Sequence, residues 1–186
     1  MSERLVAEAL RVNARYVEEV VIGWGLCPWA ARAWNDGQVS QRVFTGAVHD
    51  TRDVVAFIDD LNTQRHVAIG LAIFPRVTCS IGAWEKFAES VRRVRDSFLI
   101  AAFHPDYLPP REEGLSPARL VPFIRRTPDL TLQLVRASVI DGLKGDVSDD
   151  VARANFAAVT ARGVDALEAL LADIRRDRDA AYARLC

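Results

Sequence analysis

An α/β fold built on a small, largely parallel sheet of three to four strands is predicted by three observations. Val67 to Phe74 is a continuous apolar run of strand length, as a strand covered on both faces shows. Ser97 to Phe103 is a second buried strand. Before and between them, apolar residues recur at spacings of three and four, so strands alternate with amphipathic helices. Helical segments at both ends complete one predicted domain over residues 1–186, long enough to bury a substantial core.

The first helix is marked by Leu5, Ala9, Val12, Tyr16 and Val20 and is broken by Gly23 and Gly25, after which Cys27-Pro28 follows at once. Asn35-Asp36-Gly37 reads as a turn, and Val39 to Thr45 alternates well enough for a short strand. Asp50 and Thr51 are cap residues for a helix presenting Val54, Ile58 and Leu61. Ser80 caps a helix on which Trp84, Phe87, Val91 and Val94 share a face. After Phe103 comes a proline-rich loop, Leu108 to Gly114. Thr127-Pro128 then reads as a helix start, which favours helix over strand for Leu130 to Leu143. Asp149 or Asp150 opens a last helical region, interrupted near Gly163, whose Arg175-Arg176-Asp177-Arg178-Asp179 stretch reads as a solvated face.

Composition narrows the function classes. The chain is 50% hydrophobic and 26% charged with a net charge of −1, so no basic field draws it to nucleic acid or anionic lipid. No segment reaches the 18 or so apolar residues of a membrane helix. Met1 to Arg4 leads into an amphipathic stretch rather than a signal-peptide core. Three scattered cysteines, Cys27, Cys79 and Cys186, do not make a disulfide framework, so a reducing cytoplasm is the expected location. Zinc, dinucleotide and triphosphate readings are lowered by the absence of CxxC, HExxH, GxGxxG and P-loop patterns. A homodimer stays open.

Two short motifs carry the chemistry. Leu26-Cys27-Pro28-Trp29 and Phe103-His104-Pro105-Asp106-Tyr107 each set a reactive side chain against proline, which pushes the preceding residue out of the helical region. Cys27 reads either as a buried small hydrophobe or as a thiolate acting as nucleophile, redox centre or ligand. His104 ends a strand and reads either as a structural histidine hydrogen-bonded to backbone or as a site residue, since ligands of parallel sheets sit there. Asp106 is placed to orient its imidazole and Tyr107 to add a phenol, an arrangement suiting a general base or a metal ligand. The Phe74-Pro75-Arg76 turn falls near His104 if the sheet is parallel there. His49 and His66 read as solvated. Arg125, Arg126 and Arg136 read either as surface residues with buried stems or as an anion site, in which Arg125-Arg126 beside Thr127-Pro128 form a corner for a carboxylate or phosphate and Arg136 pairs with Asp106 or a substrate acid group. Trp24, Trp29 and Trp34 flank Cys27 and suit an aromatic wall around a flat ligand.

These motifs, with Tyr16 to Gly23 and the weaker matches Arg126-Thr127-Pro128, Leu132 to Arg136 and Asn155 to Gly163, resemble a family catalogued as domain of unknown function 1415, found in bacteria and plastids. Order and spacing agree over most of the chain. The family has phenylalanine where Trp29 stands, Asn-Arg-Ser-Pro where Arg125 to Pro128 falls, and usually histidine at the place of Gln133. The resemblance therefore implies a divergent branch, and it brings no activity with it.

The expected function is a small-molecule metabolic enzyme acting on an acidic metabolite. Cys27, His104, Asp106 and Tyr107 form its centre; Arg125, Arg126, Arg136 and Trp29 hold the substrate. One variant is oxidative, with haem or another iron centre ligated by Cys27 or His104. The other needs no cofactor, with Cys27 as nucleophile and His104 as base. A non-catalytic haem- or ligand-binding module is the alternative, and an interaction protein a third class.

Overall fold

The computed structural model describes residues 2–46, 50–108, 116–141 and 147–185. His49, most of the proline-rich loop, Leu143 and Cys186 lie outside the described residues.

The chain opens with α1 (Ser2–Arg15), which continues without interruption into a π-helical segment, Tyr16–Ile22. It goes on through α2 (Ala30–Asn35), β1 (Val39–Val43), α3 (Arg52–Thr63), β2 (Ile69–Phe74), α4 (Ile81–Arg92) and β3 (Phe98–Phe103). Then come α5 (Pro117–Ile124), β4 (Leu130–Arg136), α6 (Ala137–Asp141), α7 (Val147–Arg162) and α8 (Val164–Ala183). The mixed α/β class, β1, β2 and β3 and the helical ends agree with the sequence reading. So does Ser80, whose hydroxyl accepts the Ala83 N–H at 3.2 Å at the start of α4.

Two expectations are corrected. Leu130 to Arg136 is a strand and not a helix. Thr127 does not cap: its hydroxyl donates to the Asp129 carbonyl at 2.6 Å, while Leu130, Leu132 and Leu134 alternate with period two on one face. The cap-then-proline signature does open a helix, but one element earlier, where Ser116 accepts the Arg119 N–H ahead of Pro117. The sheet order is β1-β2-β4-β3. β1, β2 and β3 run the same way, but β4 lies between β2 and β3 and is antiparallel to both, so two of the three pairings are antiparallel. The sheet is therefore mixed rather than largely parallel.

Helices cover both faces. On one, α3 and α4 pack Phe57, Ile58, Leu61, Trp84 and Val91 against Leu130, Leu132 and Leu134. Each of these three leucines is at most 1% exposed, and burying one contributes about 1.5–3 kcal/mol. On the other face, α1, the π-helical segment, α5 and α8 pack against Ile69, Leu71 and Ile73. Alternation along β4 and β1 sends Thr131, Gln133 and Gln41 to this second face, so polar side chains stand under a helical layer. Among the described residues, no helix is long and apolar enough to cross a membrane.

Gly23 closes the π-helical segment. A Cβ there would collide with the Glu19 carbonyl oxygen, backbone that cannot step aside. Gly23→Ala is expected to cost about 1–3 kcal/mol, read from urea unfolding. A stability equal to wild type would show that the segment relaxes freely.

Candidate ligand cavity

A cavity of about 910 Å³ lies between the second sheet face and its helical layer, within the size range of small-molecule sites. Its floor includes Ile69, Leu71, Phe103, Thr131 and Gln133; its roof comes from α1, the π-helical segment, α5 and α7. The wide turns of the π-helical segment are a common device for re-aiming side chains at sites. Here Tyr16, Val17 and Val21 reach the wall, and the Tyr16 hydroxyl is anchored on the Ile124 carbonyl at 2.7 Å.

The turn after that segment seats Cys27. Gly25 takes φ +66°, open to glycine at no steric cost, and the Leu26 N–H returns to the Val21 carbonyl at 2.9 Å. Cys27 lines the cavity beside Trp29 and Trp34. Burial pushes its thiol up, although the Trp29 and Ala30 N–H groups act the other way. Among the described residues that line the cavity there is no histidine, aspartate or glutamate to take the thiol proton.

Arg125 follows α5 and faces the cavity, its guanidinium 5.8 Å from the centre of the Phe103 ring. Desolvation lowers its pKa from the usual arginine range. Its side chain makes no hydrogen bond or ion pair among the described residues. An unpaired, half-buried guanidinium in an apolar cavity is a ready carboxylate or phosphate anchor. Asn13 is held by Gln41 at 2.9 Å, whereas Gln133 makes no side-chain hydrogen bond among the described residues. Asn155, on α7 and 5% exposed, has its carbonyl oxygen buried with no partner.

His104 is elsewhere. It does not line this cavity, and its ring is 2% exposed. The Asp106 backbone N–H donates to Nδ1 at 3.0 Å, which places the ring proton on Nε2, 3.0 Å from the Cys79 carbonyl it donates to. Both nitrogens are thus spent on backbone. The expected pairing of Cys27 with His104 is not made, and His104 has no nitrogen spare for a metal or substrate proton. Asp106 does orient the imidazole, but through its backbone; its carboxylate pairs with Arg175 at 2.9 Å. Tyr107 lies 5.9 Å from the His104 ring and hydrogen-bonds Glu85.

The other two arginines are structural. Arg126 donates to the Pro105 carbonyl at 3.2 Å and pairs with Glu168 at 3.4 Å. Arg136 ties the end of α3 to β2, donating to Leu61 at 2.7 Å and Val67 at 3.0 Å, with Phe98 below its guanidinium. Arg76 sits at the turn after β2 with φ 63° and donates to the Tyr182 carbonyl at 2.9 Å.

Of the site residues singled out in the sequence, the cavity therefore gathers Cys27, Trp29, Trp34 and Arg125, and His104, Asp106, Tyr107, Arg126 and Arg136 do not line it. Its position against a sheet face, not beyond strand ends, follows from β4: inserted antiparallel, it removes the crevice that two diverging parallel connections would open between β2 and β3. Asn13, Gln133 and Asn155 were not singled out as site residues. A usable signal existed for Gln133, a polar residue inside the Leu-Thr-Leu-Gln-Leu alternation of a central strand. No group of three His, Cys, Asp or Glu side chains suited to a metal occurs among the described residues.

A family model described as "Protein of unknown function (DUF1415)" matches residues 8–169. Searches of curated proteins and of solved structures find no match.

Proposed function

The chain belongs to that family of unknown function, DUF1415, and from the chemistry of its cavity we propose that it binds a small organic anion with a flat, apolar body. The guanidinium of Arg125, which makes no hydrogen bond or ion pair among the described residues, carries this proposal: a half-buried cation whose N–H groups are unmatched is costly, and an anionic ligand removes that cost. Trp29, Phe103 and Tyr16 supply the apolar walls. Titration of the protein with 2-naphthoate, followed by tryptophan fluorescence, tests it. Arg125→Leu is expected to weaken binding about 10- to 100-fold, the worth of one or two charged hydrogen bonds, while neutral 2-naphthylmethanol is held alike by both proteins. Equal binding of 2-naphthoate by wild type and variant would overturn the assignment.

A second reading makes the flat acid haem iron's porphyrin, ligated by Cys27, with oxidative chemistry to follow. One observation favours it over a cofactor-free thiol enzyme. The sulfur lies on the wall between aromatic side chains, with no acid–base residue among the described lining to activate it as a nucleophile. A Soret band that forms on haem addition and shifts in Cys27→Ala supports this reading; a spectrum identical to free haem rules it out.

A further inference from the structure

A simple aromatic acid would use only part of this cavity. Two carboxamides face it without internal partners, Gln133 from the sheet side and Asn155 from α7 on the helical side. Asn155 is the more telling of the two. At 5% exposure its carbonyl oxygen is buried and accepts from no protein donor among the described residues, a cost native proteins rarely leave standing without a reason. A leucine of nearly the same size would fill the site without that cost.

We infer that the ligand is a planar nitrogen heterocycle bearing an anionic substituent, with Asn155 reading its donor–acceptor edge. This rests on the cavity being the ligand site and deepens that proposal. A carboxamide offers one acceptor and two donors side by side, the complement of the lactam and amidine edges of pterins, flavins and nucleobases. The aromatic walls suit the flat face of such a ring, and Arg125 takes its acidic substituent. A fatty acid would leave both carboxamides unpaired. A sugar acid would pair them but leave the tryptophan, tyrosine and phenylalanine walls without an apolar partner.

Pterin-6-carboxylate, which has a lactam edge, and 2-naphthoate, which has none, are the two probes. Wild type is expected to bind the pterin at least about tenfold tighter, as one or two net hydrogen bonds allow. Asn155→Leu should abolish that preference, weakening the pterin relative to 2-naphthoate by the same factor. The same variant should melt a few degrees higher, about 2–4 °C for each kcal/mol gained in a chain of this length, which certifies that it is folded. A wild type that binds 2-naphthoate with no preference for the pterin overturns this inference alone, as does an Asn155→Leu protein that keeps the preference. Failure of both acids to bind overturns the assignment of the cavity and this inference together.

Discussion

Asp129→Ala is expected to lower stability by about 2–4 kcal/mol, near the range seen when one partner of a buried ion pair is deleted. Asp129 is 2% exposed at the entry to β4, where its carboxylate accepts from the Tyr182 hydroxyl at 2.6 Å and from Arg178 at 3.2 Å. Both partners belong to α8, so one side chain ties the last helix to the central strand. Arg178 retains Asp179 at 2.6 Å and the Pro128 carbonyl at 2.6 Å, which keeps the loss below the upper end of that range. Asp129→Asn keeps an acceptor for Tyr182 and should cost much less. The pair of variants also has a pH signature. Burial raises the Asp129 carboxyl above the ordinary carboxylate range, against the pull of Tyr182 and Arg178. A carboxyl raised in the folded state favours folding once protonated, and that contribution is lost as pH rises through the raised value. Wild type should therefore gain stability relative to Asp129→Asn as pH falls from 7 toward the ordinary carboxylate value. Urea midpoints of both proteins measured across that range check it, and a constant difference would contradict it.

The elements that were legible before the structure owe their form to local chemistry. Ser80 caps α4 with its own hydroxyl, and the apolar periodicity of α3 and α4 follows from which face they bury. Cys27 was legible because Gly23, Gly25 and Pro28 shape its turn within six residues. Arg125 was legible as a candidate anion anchor, the role proposed for it above, though nothing local separates it from Arg126, whose partner Glu168 lies 42 positions away. The misread features depend on distant pairings. Thr127-Pro128 carries a helix-start signature, and what overrides it is the ladder β4 makes on both sides, which buries Leu130, Leu132 and Leu134. Arg178 sits in a charge run that reads as solvated, yet Asp129, 49 positions earlier, draws it inward. Asn155 looks like any polar helix residue until α7 is laid over the sheet.

His104→Ala is expected to lower stability by about 2–4 kcal/mol, since it empties a buried site and takes the partner from two partly buried backbone groups. The groups are the Cys79 carbonyl and the Asp106 N–H, and the ring that joins them spans the loop before α4 and the turn after β3. The His104 backbone N–H also reaches the Arg125 carbonyl at 3.1 Å, so the motif that looked catalytic sits directly behind Arg125. This placement separates a positioning role from a catalytic one. If His104 positions Arg125, a destabilised His104→Ala protein that remains folded at low temperature should bind 2-naphthoate less tightly than wild type. Neutral 2-naphthylmethanol should be held as before. His104→Asn, whose carboxamide can replace one of the two backbone bonds, should recover part of both losses. A His104→Ala protein as stable as wild type would show that the imidazole is not the bridge its hydrogen bonds describe.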